Sequence, residues 1–388
     1  MEIIFILSMV LLFYIYFGYP ILLLLFSAFS KNRKQSFNAK YRPTVSLIIA
    51  AYNEEKVIEK KIKNSLAIEY PNDRLEIIVF SDSSIDRTDE IVKQYKNAGI
   101  KLFRIEGRKG KTFCQNEVVK LANGEILVFS DANSMYQTDA IKKIVRYFSN
   151  KNIGCVVGEL RYGNKQTGSV HNLVEGENIY WKYDKILKRL ESKISSVVTG
   201  NGAIYGIRKS AYVPLEDNMN SDFIEILRIV AKHYKVIYEP EAVAWESTAE
   251  NSQKEFRRRT RIVTGSMISI IKDKNIHHLL NPFSSGIFAI QLLSHKVLRW
   301  FSGVFLILIF LLNILLLGKN VFYDLTMLGQ TIFYLFAFWG FISEQLLLKK
   351  APKIPHIAYY FCLSCLAMLS GVMDALRGRE IISWNPER

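Results

Sequence analysis

The first 29 residues constrain the fold of this chain most, because residues 3–29 are almost wholly apolar. About 20 apolar residues are enough to cross a bilayer as a helix. The run is too long for the core of a signal peptide, and no A-x-A-like cleavage site follows it. Lys31, Arg33 and Lys34 come next, and basic residues beside a span stay on the cytoplasmic side. The sequence therefore predicts a membrane helix with the following domain in the cytoplasm.

The C-terminal part of the chain is also rich in membrane-like segments. Residues 297–317, 321–348 and 356–376 are each long enough to span, and residues 287–293 suit an interfacial helix. One span before the domain and three after it would place the C-terminus outside the cell. Arg377, Arg379 and Arg388 favour the cytoplasmic side instead. Either one C-terminal segment is re-entrant or interfacial, or the C-terminus lies outside.

The pattern predicts a multi-pass protein of the cell membrane with three parts. These are an N-terminal span (1–30), a domain (31–272) and a C-terminal helical region (273–388). The net charge of +15 does not indicate a nucleic-acid-binding protein, because the basic residues gather near the membrane. Attraction to anionic lipid headgroups explains that distribution.

The central region alternates between strand and helix patterns. This alternation predicts an α/β domain with a mostly parallel sheet and helices on both faces. The predicted strands include residues 45–50, 75–80, 101–105, 125–129, 153–158 and 235–238, and the predicted helices include 54–66, 86–96, 112–122, 170–191, 222–232 and 253–271.

Polar residues follow three of these strands, where ligands of such sheets bind. Asn53 and Glu55 follow the first strand, Asp82 the second, and Asp131 and Asn133 the strand at 125–129. Oxygen ligands of this kind suit Mg²⁺ or Mn²⁺, so Asp131 and Asn133 are candidate metal ligands. Two structural alternatives stay open. Asn53 suits the N-cap of the next helix, and residues 131–134 suit a turn.

Four basic or acidic residues complete the candidate site. Lys111 follows a glycine at the start of a helix, which is a natural anion-binding position. Asp222 begins a later helix, where it could act as a general base or only stabilise the helix end. Arg258 and Arg261 belong to a basic run suited either to pyrophosphate or to lipid headgroups.

Taken together, the run at residues 45–55 (VSLIIAAYNEE) and the order of the acids resemble the family 2 glycosyltransferases. The membrane-bound cellulose, chitin, hyaluronan and poly-N-acetylglucosamine synthases look most similar. The resemblance implies a GT-A fold, with Asp82 on the uridine, Asp131 in the metal-binding D-x-D element and Asp222 as catalytic base. Arg258 and Arg261 occupy the family's Q-x-x-R-W element.

This sequence departs from the family pattern at two positions. Asn133 stands where the D-x-D element has its second Asp, and Ile262 stands where the family has a Trp. The missing Trp puts chain polymerisation in doubt but not single transfer. Trp384, near the C-terminus, faintly resembles a Trp of the gating loop of hyaluronan-type synthases.

The implied activity is inverting transfer of a sugar from a UDP-α-sugar to a growing β-linked polysaccharide at the membrane. Transfer of one sugar to a lipid acceptor is an alternative. A catalytically silent, sugar-nucleotide-binding subunit of an export complex is another, and an accessory export subunit is compatible with either enzyme. For a polysaccharide, the polar residues among the C-terminal spans would line a lumen. The candidates are Gln330, Ser343, Glu344 and Asp374.

Overall fold

The computed structural model describes residues 1–29, 37–163, 175–217, 219–247, 252–347 and 351–379, with residues 175–180 described by their backbone alone. The centre of residues 45–246 is one sheet of eight strands. The strands are β1 (Val45–Ala51), β2 (Leu75–Asp82), β3 (Ile100–Ile105), β4 (Ile126–Asp131), β5 (Met135–Tyr136), β6 (Ile153–Tyr162), β7 (Tyr205–Arg208) and β8 (Lys235–Glu246).

The strands lie in the order β3-β2-β1-β4-β7-β6-β8-β5. The first half of the sheet is parallel, since β1 pairs in parallel with both β2 and β4, and β2 with β3. β7 is antiparallel to its neighbours β4 and β6, whereas β8 returns to run parallel to β6. The predicted mostly parallel α/β sheet is confirmed.

The α-helices of six or more residues in the described chain are α1 (Glu2–Phe29), α2 (Ile58–Leu66), α3 (Thr88–Gln94), α4 (Lys111–Leu121), α5 (Ala140–Val145), α6 (Glu175–Ile194), α7 (Ser221–Ala231), α8 (Ser252–Lys272), α9 (Ile287–Trp300), α10 (Ser302–Leu316), α11 (Val321–Leu346) and α12 (Lys353–Leu376). Apolar residues of α2, α3 and α5 pack on one face of the sheet, and those of α4 and α7 on the other. All seven residues of β1 are buried, as expected for a strand covered on both faces.

The helix after β1 begins later than the sequence predicts. The pattern places its start at residue 54, but α2 begins at Ile58. The backbone N–H groups of Glu54 and Glu55 donate instead to Thr88 Oγ1 (2.7 Å), at the start of α3, and to Asp86 Oδ2 (3.0 Å), in the loop before α3. These contacts hold residues 54 and 55 outside the helix.

Three helices are long and apolar enough to cross a membrane, namely α1, α11 and α12. A fourth candidate is the pair α9 and α10, which meet at an angle of 57°. The span predicted over residues 297–317 therefore contains a bend, which the sequence analysis does not predict. The helix breaks at Phe301 after a segment that carries His295, Lys296 and Arg299, and these residues belong to α9 rather than to the apolar α10.

The membrane-like helices pack against the α/β domain. Thr260 and Thr264 of α8 donate to the backbone carbonyls of Ala367 and Gly371 of α12, at 3.2 Å each. Gly371 permits this approach, because a Cβ there would lie 2.7 Å from Cβ of Val263. α12 thus lies along α8 and joins the two parts of the molecule.

Candidate functional site

A cavity of about 650 Å³ lies beyond the carboxyl end of β4. It contains six of the residues that the sequence singles out, and they come from four separate elements and the turn after β4. These residues are Lys111, Asp131, Asn133, Asp222, Arg258 and Arg261. Ile262 also lines the cavity. The fold therefore assembles most of the predicted site from positions far apart in the sequence.

Gly202 lies where three of these side chains meet. A Cβ atom at residue 202 would lie 2.9 Å from Asp131 Oδ2, 3.0 Å from Lys111 Nζ and 3.5 Å from Asp222 Oδ2. Lys111 Nζ also donates to Asp131 Oδ1 at 2.6 Å. The absence of a side chain at Gly202 leaves the space in which these charged groups come together.

Lys111 is the central cation of this group. Burial acts to lower its pKa, but the carboxylates of Asp131 and Asp222 outweigh that effect, so the pKa is raised. The ammonium is therefore charged at neutral pH. A fixed positive charge here suits an anionic group arriving between the two carboxylates.

Glu246 is an acid of this site that the sequence reasoning missed. It is the last residue of β8 and lines the cavity. Ser134 Oγ donates to its carboxylate, and Ser134 N donates to the backbone O of Asp131 at 3.2 Å. Burial, and then the charge of Asp131, raise the pKa of Glu246 to about 7. Three oxygen-bearing side chains, of Asp131, Asn133 and Glu246, thus surround one turn.

Lys61 contacts the same turn and is a second residue that the sequence reasoning missed. It is fully buried on α2, and its Nζ donates to Ser130 Oγ (2.7 Å) and to the backbone O of Ser134. The ammonium lies 4.0 Å from the centre of the Tyr136 ring. Burial lowers the pKa of Lys61 to about 7 against the opposing charges of Asp131 and Glu246. The sequence feature that could have identified Lys61 is its position between Ile58 and Ile62, which places a lysine on the apolar face of a predicted helix.

Asp222 lies in the first turn of α7, and its backbone O accepts from Gly200 N at 3.1 Å. One turn later, Glu225 is buried behind it and accepts a hydrogen bond from the side-chain amide of Gln115. Burial raises the pKa of Glu225 to about 8, and the neighbouring Asp222 adds to the rise. Glu225 is therefore mostly protonated at neutral pH.

This buried acid makes stability depend on pH. Below about pH 8 the folded chain keeps a proton on Glu225 that the unfolded chain loses near pH 4.5, so rising pH costs the folded state up to about 1.4 kcal/mol per unit. Glu225→Gln removes this cost. In detergent, the difference in Tm between the variant and the wild type should grow in favour of the variant from pH 6 to pH 8. Above pH 8 this difference should stay constant. A constant difference, or the same trend in exposed Glu216→Gln, would contradict the assignment.

The basic residues of α8 have different surroundings. Arg258 Nη1 donates to Tyr162 Oη at 3.0 Å, and its guanidinium lies 5.9 Å from the ring of Trp181, which also lines the cavity. Arg258 and Arg259 both pair with Glu255, at 2.7 Å and 2.6 Å, and Arg259 also donates to Tyr360 of α12 at 2.8 Å. All three arginines line the cavity, and Arg259 in addition connects α8 to α12.

Asp82 lies at the end of β2 but is fully buried and is not among the cavity-lining residues. Its carboxylate accepts from the backbone N–H groups of Lys109 (2.8 Å) and Gly110 (3.0 Å) and from Arg108 Nη1 (3.1 Å). The Arg108 guanidinium lies 3.3 Å from the centre of the Tyr52 ring. In this conformation Asp82 holds the loop before α4.

Asn53 and Glu55 likewise contact the neighbouring loop rather than the cavity. Asn53 has a φ of +51°, and its Oδ1 accepts from Ile85 N at 2.9 Å. The alternative of Asn53 as a helix N-cap is therefore wrong, since α2 begins at Ile58. Glu55 Oε2 accepts from Arg87 N at 3.3 Å. Trp384 lies outside the described residues, so its predicted role remains a prediction.

Comparison with known proteins supports the sequence resemblance. The "Glycosyl transferase family 2" model matches residues 46–212. The chain is 27% identical over 333 residues (81% of this chain, 76% of the relative) to a protein named "Probable glycosyltransferase YdaM" of Bacillus subtilis. It is also 27% identical over 237 residues to the poly-beta-1,6-N-acetyl-D-glucosamine synthase of Staphylococcus epidermidis, covering 59% of this chain and only 56% of that enzyme.

A solved structure shows the same fold over nearly the whole chain. It is the mannosyltransferase PcManGT of Pyrobaculum calidifontis in complex with GDP-Man and Mn²⁺, with a TM-score of 0.69, 19% identity, and coverage of 97% of this chain and 100% of that one. The sheet order, the cavity beyond β4 and these similarities lead to one conclusion. The protein is a glycosyltransferase of GT-A fold that carries a glycosyl transferase family 2 domain.

Proposed function

We propose that this enzyme moves a sugar from a UDP-α-sugar to a hydroxyl group of a membrane-associated glycan acceptor and inverts the anomeric carbon. The observation that carries the proposal is the convergence of Lys111, Asp131, Asp222, Arg258 and Arg261 on one cavity. The carboxylate of Asp222 takes the proton of the acceptor hydroxyl. The acceptor oxygen then attacks the anomeric carbon while the bond to the diphosphate breaks, which gives a β-linkage.

The cations of the cavity stabilise the leaving group. Lys111 carries a fixed positive charge beside Asp131, and Arg258 and Arg261 present planar guanidinium groups suited to phosphate oxygens. Charge that develops on the diphosphate is thereby neutralised within the cavity, where such interactions are stronger than in water. The acid and the cations thus have separate tasks.

The site fits a divalent cation. Asp131 and Asn133 offer a carboxylate and an amide oxygen, and Glu246 adds a second acid, whose pKa is raised by burial and then by the charge of Asp131. Mg²⁺ and Mn²⁺ prefer such oxygen ligands. The described residues contain no group of three His, Cys, Asp or Glu side chains arranged to hold a metal alone. A bound Mg²⁺ or Mn²⁺ would be held by Asp131 and Asn133 with the donor diphosphate, and would neutralise that leaving group.

Glu246 is expected to supply the charge that Asn133 lacks. Glu246→Gln should weaken Mn²⁺ binding in the presence of nucleotide about tenfold, and Asn133→Asp in that background should restore it. Electron paramagnetic resonance of free Mn²⁺ measures this without turnover. Glu241→Gln is the matched control, since Glu241 is exposed on the same strand and pairs with Arg146 at 3.0 Å. Equal Mn²⁺ affinity in Glu246→Gln and wild type would refute this role.

The donor and the product are tested together. Purified protein in nanodiscs is given a panel of UDP- and GDP-sugars with Mn²⁺ or Mg²⁺, and nucleotide release and product size are measured. We expect metal-dependent release of UDP from one sugar nucleotide. A long glycosidase-sensitive product would show a polysaccharide synthase, and a single added sugar would show a lipid glycosyltransferase. Absence of nucleotide release with every donor would refute the proposed function and favour a silent subunit.

Two of the predicted lumen residues have local partners. Glu344 binds His356, and Ser252 Oγ donates to it at 3.3 Å. Asp374 pairs with Arg379 at 3.0 Å. These contacts favour an acceptor that enters the cavity from the membrane interface over a glycan threaded between the helices.

A further inference from the structure

Lys61 is a buried charged residue that the proposed mechanism does not use. It belongs to α2 and is 0% exposed, and its Nζ contacts the turn that follows β4. We name residues 131–134 the β4 turn. Burial of an ammonium group is costly unless the group is paired or hydrogen-bonded. The charge of Lys61 therefore needs a reason beyond the packing of α2.

The contacts of Lys61 match the three N–H bonds of an ammonium group. Nζ donates to Ser130 Oγ at 2.7 Å and to the backbone O of Ser134, and it lies 4.0 Å from the centre of the Tyr136 ring. The Ser130 hydroxyl itself donates to the backbone O of Asp131 at 3.1 Å, so it accepts from Lys61. An ammonium group has three donors and no acceptor. Each N–H bond of Lys61 thus has an acceptor or the face of a ring.

These contacts hold a positive charge beside the candidate metal ligands without placing it in the cavity. Ser130 precedes the β4 turn and Ser134 ends it, and Asp131 and Asn133 lie between them. Asp131 and Asn133 line the cavity, whereas Lys61 is not among the described residues that do so. Lys61 therefore acts on whatever binds at the β4 turn through its charge and not through contact.

The negative charges that act on Lys61 are those of the candidate metal site. The carboxylates of Asp131 and Glu246 attract the ammonium group and oppose the effect of burial, which lowers the pKa of Lys61 to about 7. The proposed function assigns the same two carboxylates to a divalent cation. Lys61 and an incoming cation therefore share one set of opposite charges.

Lys111 adds a second positive charge on the cavity side of the same turn. Its Nζ donates to Asp131 Oδ1 at 2.6 Å. Even when Asp131 and Glu246 are both ionised, the two ammonium groups of Lys61 and Lys111 balance their charge. The β4 turn thus has little net attraction for a divalent cation by itself. A nucleoside diphosphate brings the further negative charge that such a cation needs.

We propose that Lys61 keeps the β4 turn close to electrical neutrality, so that the divalent cation enters and leaves with the nucleotide and does not stay bound between turnovers. Lys61 touches neither the cation nor the donor and acts through Asp131 and Glu246. The inference rests on the metal and the nucleotide of the proposed function. It adds which residue makes binding of the metal depend on the nucleotide.

An electrostatic role differs in its signature from a structural one. Removal of a positive charge strengthens the binding of a cation and weakens the binding of an anion at the same place. A substitution that only disturbs the β4 turn weakens the binding of both. Mn²⁺ without nucleotide and UDP without metal, measured separately, therefore distinguish the two roles.

Lys61→Gln and Lys61→Met test the proposal in nanodiscs at pH 6.5, where the wild-type lysine is mostly protonated. Gln keeps two N–H donors for Ser130 and Ser134, whereas Met keeps neither donor nor charge. Equilibrium dialysis measures Mn²⁺ bound without nucleotide, and UDP bound in the presence of EDTA. We expect both variants to bind Mn²⁺ about tenfold more tightly than the wild type, and UDP about threefold more weakly.

Lys63→Gln is the matched control, because Lys63 lies on the same helix but is exposed and pairs with Glu59 at 2.7 Å. Its affinities for Mn²⁺ and for UDP should equal those of the wild type. Unchanged or weaker Mn²⁺ binding in both Lys61 variants would overturn the proposal. A change of the same sign for Mn²⁺ and UDP would overturn it as well, since that is the result expected of a disturbed turn.

The wild type supplies a test that needs no variant. UDP should tighten its binding of Mn²⁺ at least about tenfold, after correction for Mn²⁺ bound to free UDP in a dialysis without protein. Mn²⁺ that binds equally tightly with and without UDP or GDP would show a resident metal and overturn the proposal. Absence of Mn²⁺ binding with both nucleotides would instead refute the metal-dependent part of the proposed function, and the role of Lys61 with it.

Discussion

Replacing Asp222 by Asn should lower the rate of sugar transfer by about 10²- to 10⁴-fold, the usual contribution of a general base. The amide has the size of the carboxylate but cannot take the acceptor proton. The backbone contact from Gly200 N to Asp222 O, at 3.1 Å, does not involve the side chain. Nucleotide binding, measured by calorimetry, should therefore remain within about twofold of the wild type.

A helix-start aspartate elsewhere supplies the control. Asp139 precedes α5 and pairs with Lys143 at 2.8 Å, outside the cavity. Asp139→Asn should transfer sugar at the wild-type rate. Retained transfer in Asp222→Asn would remove this residue from the chemistry. Lost nucleotide binding would assign it to donor recognition instead.

A single methyl group at Gly202 should have the second largest effect. Gly202→Ala places a Cβ atom 2.9 Å from Asp131 Oδ2 and 3.0 Å from Lys111 Nζ. Both are the far ends of flexible side chains, so the fold can accommodate the methyl group by moving them. The side chains that move are then those of Asp131 and Lys111, which act on the donor. A shift of about 1 Å in such groups can cost about 100-fold in rate.

The measurement is kcat together with the thermal transition of the same preparation. We expect kcat of Gly202→Ala to fall about 100-fold, with Tm nearly unchanged. Gly329→Ala is the control, because a Cβ at this position of α11 would meet nothing within 4 Å. Wild-type kcat in Gly202→Ala would show that Asp131 and Lys111 need not keep the positions seen here. A collapse of Tm would show that the methyl group acts on folding.

The sequence predicts the α/β domain well because its signals are local. Buried strands such as residues 45–51 and 126–131 show as short apolar runs, and each ends at the polar residues that later line or flank the site. Parallel strands bring their carboxyl ends to one edge. Asp131 and Asn133 could therefore be placed there from the sequence alone, and Lys111 and Asp222 through their positions at the starts of helices.

Contacts between distant segments explain what the sequence did not predict. Glu246 reaches the turn of Asp131 only because β8 pairs with β5, with Trp245 opposite Met135. Lys61 contacts the same turn from a helix that lies earlier in the chain, 69 residues before its partner Ser130, which gives no local signal. The burial of Asp82 under Arg108 also depends on a loop between other elements. Such pairings are set by tertiary packing, which periodicity does not report.

The bend at Phe301 is another feature that depends on contacts between distant segments. The run of residues 297–317 is apolar apart from Arg299, Ser302 and Asn313, yet the helix bends by 57° at Phe301. Before the bend, His295 contacts Asp184 and Glu191 of α6, and the Arg299 guanidinium lies near the rings of Tyr183 of α6 and Tyr16 of α1. Helix bends have local causes, but here the partners that stabilise the bend come from elsewhere in the chain.

The way α12 lies along α8 has a consequence for the sidedness of the protein. α10 runs beside α1 from Ser302, near Tyr16, to Lys319, near Glu2, and α11 returns from there to Glu344, which contacts Ser252 of the domain. If these helices cross the bilayer as their hydropathy predicts, the chain crosses three times before α12 begins. α12 is itself apolar enough to span, yet it packs along α8 of the domain. Its last turns therefore lie beside the catalytic domain, and the charges of Arg377 and Arg379, which follow them, suit the side of the membrane on which that domain lies.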